Sequence, residues 1–157
     1  MISRRELVPA LGAGLFMVPF SGRPQQRGKL PVLGFLWASS SDPRIETIKL
    51  ALRDLGYVEN KTIYFDWRFW EGQPEHIPDL VDRLVSIKPD VILAYTALPT
   101  KAAMRATTSI PIVFVGVGGD PVSLGLVPNI ARPGGHVSGV THLRSELGRK
   151  TLQLFSE

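Results

Sequence analysis

Cysteine is absent from the 157 residues of this chain. Its absence excludes a disulfide framework, a catalytic thiolate, a cysteine-based zinc site and a lipid-anchored cysteine. A strong charge of one sign is lacking as well. Setting aside Arg4, Arg5, Arg23 and Glu6 reduces the 18 basic and 14 acidic residues to 15 and 13, so the net charge falls from +4 to +2. The other basic residues are dispersed, which argues against nucleic-acid binding.

Recognisable catalytic motifs are also lacking. The segment Gly116–Pro121 is rich in glycine but matches neither a dinucleotide-binding fingerprint nor a Walker A sequence. His136 and His142 are six residues apart, a spacing that does not place two metal ligands on one helical face. Serines 39–41 lack the G-x-S-x-G context of a hydrolase nucleophile. We therefore expect no catalytic residue, no metal and no cofactor, and we predict that the protein is not an enzyme.

The first 23 residues resemble an export signal. Arg4 and Arg5 precede an uncharged stretch from Leu7 to Phe20, shorter than the roughly 20 residues that span a bilayer. The arginine pair is also typical of a twin-arginine signal. No clean A-x-A cleavage site follows, so an uncleaved anchor and a buried N-terminal helix remain alternatives. We expect export to the periplasm, followed by a polar linker over 24–30.

Beyond the linker, strand-like and helix-like segments alternate. Continuous or alternating apolar runs predict strands at 32–37, 63–69, 91–94, 112–115 and 137–140. Apolar residues at helical spacing predict helices at 45–55, 77–85 and 99–107, a short one near 122–126, and a last one over 146–157. Strict alternation in the second strand favours an edge position.

This order predicts an α/β fold with a mainly parallel sheet between two helical layers, a three-layer α/β/α arrangement. Ligands of such sheets bind beyond the carboxyl ends of the strands. That rule selects three loops, Ala38–Pro43, Tyr95–Thr100 and Gly116–Ser123. Asp120 in the third loop could accept a hydrogen bond from a ligand amine or cap the helix behind it.

Several segments resemble the family of bacterial ABC-transporter substrate-binding proteins of the tryptophan/tyrosine-uptake type. Leu52–Asn60 is similar to the family segment LRELGYVEG, Trp70–Pro74 to AEGRP, and Thr107–Phe114 to TxTIPIVF. The longest match joins Gly119–Val127 and Ala131–Gly139 to the pattern GDPVxxGLVxxLARPGGNVTG. The resemblance covers nearly the whole chain.

The resemblance implies one lobe of a type I periplasmic-binding-protein-like fold, which closes with a second lobe on a small solute and docks on a permease. It implies a first lobe over 31–145 and, over 146–157, the start of a helix leading toward a second lobe that is absent. We therefore expect a truncated chain that binds its solute weakly or not at all. The positions implied to meet the solute are Trp37, Ser39, Ser40, Tyr95, Thr96, Ala97, Gly118, Gly119 and Asp120.

Departures from the family pattern affect the expected solute. Ala97 stands at the usual threonine position after the third strand, Pro99 lies one place late, and His136 replaces a common asparagine. The leading hypothesis is a solute-binding component of an ABC importer that takes an amino-acid-like solute, with aromatic amino acids among the options. The alternatives are a ligand-sensing module that signals through a partner protein and, less favoured, a small flavodoxin-like enzyme.

Overall fold

Five parallel strands form a single sheet in a computed structural model that describes residues 29–131 and 134–142. The spatial order is β2-β1-β3-β4-β5. The strands are β1 Val32–Trp37, β2 Tyr64–Phe69, β3 Val91–Tyr95, β4 Ile112–Gly118 and β5 Val137–His142. The helices are α1 Arg44–Asp54, α2 Ile77–Ser86 and α3 Ala97–Ala106, with a 3₁₀ turn at Pro74–His76 before α2.

The helices lie on both faces of the sheet because adjacent strand residues point to opposite sides. On one face, Ile48 and Leu52 of α1 pack against Phe35 and Phe65. On the other face, α2 and α3 pack over a larger apolar layer, whose central members are Leu36, Val81, Leu84, Ile92, Ala103, Ile112 and Phe114. The predicted three-layer parallel α/β fold is confirmed, and β2 is an edge strand as its alternating pattern predicted.

Two glycines let neighbouring elements approach closely. A Cβ on Gly34 of β1 would lie 2.7 Å from Cδ1 of Leu84, the α2 side chain that packs on the strand. A Cβ on Gly139 of β5 would lie 2.1 Å from the carbonyl oxygen of Phe114. The pairing register of β4 and β5 shifts at this point, over the β4 residues from Phe114 to Val117. Glycine at both positions is thus required by packing.

Two predicted helices differ from the structure. The third begins at Ala97 and not at Pro99, because a proline is accepted within the first turn of a helix, where its missing N–H is not needed. No helix forms over 122–126; this stretch is a series of turns. A single α-turn, from the N–H of Leu124 to the carbonyl of Asp120, is followed by Gly125 at φ 69°, a left-handed conformation that stops helical propagation.

The predicted export signal, most of the linker and the predicted helix over 146–157 lie outside the described residues. Within 29–131 and 134–142, no helix has the length and apolar character needed to cross a bilayer.

Candidate functional site

The three loops selected from the sequence lie at one edge of the sheet, because β1, β3 and β4 are parallel neighbours. We call Ala38–Pro43, Tyr95–Thr100 and Gly116–Ser123 the site loops. The chain passes from β1 outward to β2 and then returns across β1 to β3, so the order reverses between β1 and β3. A crevice opens at such a reversal, and open α/β sheets bind ligands there.

The first site loop is organised by Asp42. One carboxylate oxygen accepts a hydrogen bond from the indole N–H of Trp37 at 2.9 Å, and the side chain also accepts bonds from the backbone N–H and guanidinium of Arg44. The Arg44 hydrogen bonds lower the pKa of Asp42 far below its usual range, although burial opposes the shift. Asp42 is therefore ionised at neutral pH and fixes the start of α1.

Tyr95, the last residue of β3, is enclosed on several sides. Its ring stacks on Trp37 with centroids 4.6 Å apart. The Arg44 guanidinium carbon lies 4.4 Å from the Tyr95 ring centroid, and Arg44 Nη1 donates a 2.5 Å hydrogen bond to the Tyr95 hydroxyl. A Cβ on Gly116, which has φ 66°, would lie 2.2 Å from Cε2 of the ring. Trp37 itself is only 2% exposed, so it supports Tyr95 from beneath and offers little open ring surface.

Glu71 links the turn after β2 to the first site loop. Its carboxylate accepts a 2.7 Å hydrogen bond from the Ser39 hydroxyl and a 2.9 Å bond from the Ser40 backbone N–H. The Ser40 and Ser39 bonds lower the pKa of Glu71. The predicted positions Ser39 and Ser40 therefore lie at the site edge, with part of their hydrogen-bonding capacity used by a neighbouring loop.

The second site loop turns directly from strand to helix. Thr96 continues the sheet through its N–H, which donates to the Val115 carbonyl at 2.9 Å, and then adopts φ 74°, a conformation rare for a β-branched residue. The Thr100 hydroxyl donates to the Thr96 carbonyl at 2.6 Å. Ala97 begins α3, whose first-turn N–H groups have no partner within the helix. The start of α3 at Ala97 thus places backbone donors at the edge of the sheet, while the Thr96 N–H is used within the sheet.

The third site loop holds Asp120 in a turn. Its carboxylate accepts bonds from the hydroxyl and N–H of Ser123, at 2.6 and 2.9 Å, and from the N–H of Val122 at 3.2 Å. These bonds, led by the Ser123 hydroxyl, lower the pKa of Asp120. The predicted helix behind Asp120 does not form, so its carboxylate closes a turn and caps no helix. Gly118 ends β4, and Gly119 follows at φ 106°.

Three charged residues of this edge were not among the predicted site positions: Asp42, Arg44 and Glu71. A signal for Glu71 was available, because the turn after β2 must lie beside the first site loop once β2 is placed next to β1. The role of Arg44 has no comparable sequence signal, because its contact with Tyr95 joins residues 51 positions apart. Among the described residues, no group of three or more potential ligands could hold a metal ion.

This edge of the sheet provides backbone N–H groups, hydroxyls and one guanidinium from the site loops and the first turns of α1 and α3, beside an aromatic pair that ends β1 and β3. Such a set can hold a small polar solute by hydrogen bonds, so fold and site together define a ligand-binding α/β lobe. Residues 29–157 match the family described as ABC transporter substrate binding protein. The chain belongs to that family, a family of binding proteins, and the predicted resemblance is confirmed.

Individual relatives agree with this assignment. Over 104 residues the chain is 36% identical to a tyrosine-binding protein of Clostridioides difficile, an alignment that covers 66% of this chain and 29% of the relative. A conserved domain protein from Vibrio cholerae superposes with a TM-score of 0.65 at 28% identity, over 73% of this chain and 40% of that one. A ligand-free, open substrate-binding protein with adhesive properties from Clostridium difficile superposes with a TM-score of 0.65 at 27% identity, over 71% of this chain and 39% of that one.

A fourth protein shares the fold at lower identity. It is an ABC domain from Streptococcus pneumonia in complex with L-Trp, with a TM-score of 0.61 at 22% identity over 72% of this chain and 39% of that one. The match thus spans less than half of the length of each of these relatives. What the described residues form is one lobe of a periplasmic-binding-protein-like fold.

Proposed function

We propose that this chain is the solute-binding component of an ABC importer, acting as a binding protein and not as an enzyme. Residues 31–145 would form the first lobe, which captures a small amino-acid-like solute against a second lobe and presents it to a permease. The observation that carries the proposal is the convergence of the three site loops at the strand-order reversal, in a chain of this family.

An amino acid with an aromatic side chain is the solute class we favour. The sequence relative is described as tyrosine-binding, and the complex that shares the fold contains L-Trp. The first lobe would contribute backbone N–H groups at Ala97 and Gly119 and hydroxyls at Ser40 and Thr96, which suit a polar amino-acid backbone. Gly118 and Asp120 would border the same pocket. The solute side chain would reach the exposed rim of Tyr95.

The direct test is solution NMR of the ¹⁵N-labelled chain titrated with L-tryptophan and L-tyrosine, with glucose as a non-cognate solute. We expect millimolar dissociation constants, because one lobe supplies only part of the pocket walls. The shifted amides should fall in the site loops. Saturable shifts confined to other regions, or no saturable shift at all, would contradict the proposal.

A pair of variants on α3 sharpens this test. Ala97→Glu places a carboxylate at the site edge, in a first turn where an acidic side chain suits the helix, and should abolish the shifts. Arg105→Glu introduces the same side chain in the last turn of the same helix, at an exposed position, and should leave them intact. Equal loss in both variants would show that charge alone, and not location, governs binding.

We further propose that residues 1–23 direct export to the periplasm, where the lobe meets its permease. Mass spectrometry of the N-terminus of the protein in its native host tests this. An intact Met1 on protein found in the cytoplasm would contradict it. Transport itself is tested by deleting the gene and measuring uptake of the labelled solute, which should fall if the chain feeds a permease.

A further inference from the structure

Arg44 is the one basic residue in the four segments at or just beyond the carboxyl ends of β1, β2, β3 and β4; the fifth strand ends at His142. Residues 38–44, 70–74, 95–100 and 116–123 contain no other lysine, arginine or histidine. Its side chain is 54% exposed, yet it is held at several points. A solute that brings a negative group beside these four segments therefore meets guanidinium donors at a single residue, one that is ion-paired with Asp42.

The contacts of Arg44 leave part of its guanidinium available. Nε and Nη2 donate to the two oxygens of Asp42, at 2.9 and 2.6 Å, and Nη1 donates to the hydroxyl of Tyr95. A guanidinium has five N–H donors in a planar arrangement. Three are used in these contacts, so two remain, and the side chain that carries them is already ordered.

The nearby carboxylates leave the remaining Arg44 donors unoccupied. Glu71 accepts bonds from Ser39 and Ser40 of the first site loop, and Asp120 accepts bonds from within its own turn. Asp42 orients the guanidinium from one side by accepting bonds from Nε and Nη2, and it leaves the two other N–H donors of Arg44 unused. Planar, ordered guanidinium groups bind carboxylates through paired, charge-assisted hydrogen bonds.

We infer that Arg44 is a specificity-determining residue that binds the carboxylate of the solute, and that Tyr95 is the positioning residue that holds its guanidinium in place. The inference rests on the proposed function and goes beyond it. It requires the solute to carry a carboxylate and assigns that group to one side chain. A solute with an amine but no carboxylate should bind much more weakly.

The test uses three probes that share an indole ring: L-tryptophan, indole-3-propionate, which keeps the carboxylate, and tryptamine, which lacks it. Titrations of the ¹⁵N-labelled chain give a dissociation constant for each. We expect the wild-type chain to prefer both carboxylates over tryptamine by about ten-fold or more, the scale of a charge-assisted hydrogen bond. Arg44→Gln should weaken the two carboxylates by a similar factor and leave tryptamine unchanged.

Arg53→Gln is the matched control, since Arg53 is an exposed arginine in the last turn of the same helix and should not alter any probe. Arg44→Lys keeps the charge without the planar donors and should recover only part of the preference. Tyr95→Phe removes the hydroxyl acceptor and should lower the carboxylate preference while tryptamine binding is retained, a split that general destabilisation would not produce.

The outcomes separate this inference from the proposed function. If Arg44→Gln binds L-tryptophan as tightly as the wild type, or if tryptamine binds the wild type as well as the carboxylates do, the role of Arg44 is refuted and the solute-binding function stands. If no probe binds the wild-type chain, both the role of Arg44 and the proposed solute-binding function are contradicted. Thermal unfolding of each variant shows whether a loss reflects binding or misfolding.

Discussion

The contact between Gly34 and Leu84 predicts a measurable coupling between a strand and a helix. Leu84 of α2 is 0% exposed, and a Cβ on Gly34 would lie 2.7, 3.0 and 3.1 Å from three of its side-chain carbons. Gly34→Ala should therefore overpack this site and cost about 1–3 kcal/mol of unfolding free energy. Leu84→Ala should leave a cavity and cost about 3–4 kcal/mol.

The double variant is the informative one. Once Leu84 is truncated, the alanine methyl at position 34 enters the vacated space, and its steric cost disappears. Alanine is also favoured over glycine within a strand by roughly 0.5–1 kcal/mol. The double variant should thus be no less stable than Leu84→Ala alone, which corresponds to a coupling of about 1–3 kcal/mol, typical of residues in contact.

Urea unfolding followed by far-ultraviolet circular dichroism measures all four proteins of this cycle. The control pairs Gly34→Ala with Leu126→Ala, which lies in the same apolar layer but is not among the atoms nearest Gly34. That pair should be additive to within about 0.5 kcal/mol. Additive costs for the Gly34–Leu84 pair would refute the assigned contact.

Three further predictions concern the site edge. Asp42→Asn should lower the free energy of unfolding by about 1.5–3 kcal/mol at neutral pH. Because the pKa of Asp42 is lowered in the folded state, this loss relative to the wild type should shrink as the pH falls below about 4. Gly116→Ala should destabilise the fold, as it combines φ 66° with overlap on the Tyr95 ring, and chemical denaturation would measure the loss. Glu71→Gln should speed amide hydrogen exchange at Ser40, whose N–H donates to this carboxylate.

Each of these has a matched comparison. Asp54→Asn, at the exposed end of α1, should show no such loss of stability. Gly125 has a similar φ of 69°, but a Cβ added there would have no atom within 4 Å. Gly125→Ala therefore isolates the backbone cost from the ring overlap and should destabilise the fold less than Gly116→Ala. Glu75→Gln, in the exposed 3₁₀ turn, should leave exchange at Ser40 unchanged. Equal effects within any pair would contradict the corresponding contact.

Sequence periodicity predicted the five strands and the helices α1, α2 and α3, although it also predicted a helix near 122–126 that does not form. The run Val32–Trp37 is apolar throughout and forms a central strand, and Ile77, Val81 and Leu84 mark the buried side of α2. The carboxyl-end rule then located the site loops, because strand order and direction determine which loops share an edge. Helix bounds were less well predicted, because the pattern predicts that the third helix begins at Pro99, whereas this residue lies within the first turn of α3.

The contact of Arg44 with Tyr95 could not be predicted from the sequence. It joins side chains far apart in the chain, at a separation of 51 residues. The resemblance to the family suggested Trp37 and Tyr95 as surfaces for a solute, but only the packing revealed that these rings stack on one another. Hydrogen-bond partners of this kind follow from geometry, and periodicity carries no information about them.

The position of Trp37 gives the protein an intrinsic optical reporter. Its indole N–H is bonded to Asp42 and its ring lies against Tyr95, so its fluorescence and near-ultraviolet dichroism depend on both neighbours. Trp67 lies within the edge strand β2 with its ring centroid 6.2 Å from that of Trp37, and Trp70 begins the turn that follows. The difference between spectra of the wild type and of Trp37→Phe reports Trp37 together with its contact to Trp67, and rearrangement at the sheet edge becomes observable without any attached dye.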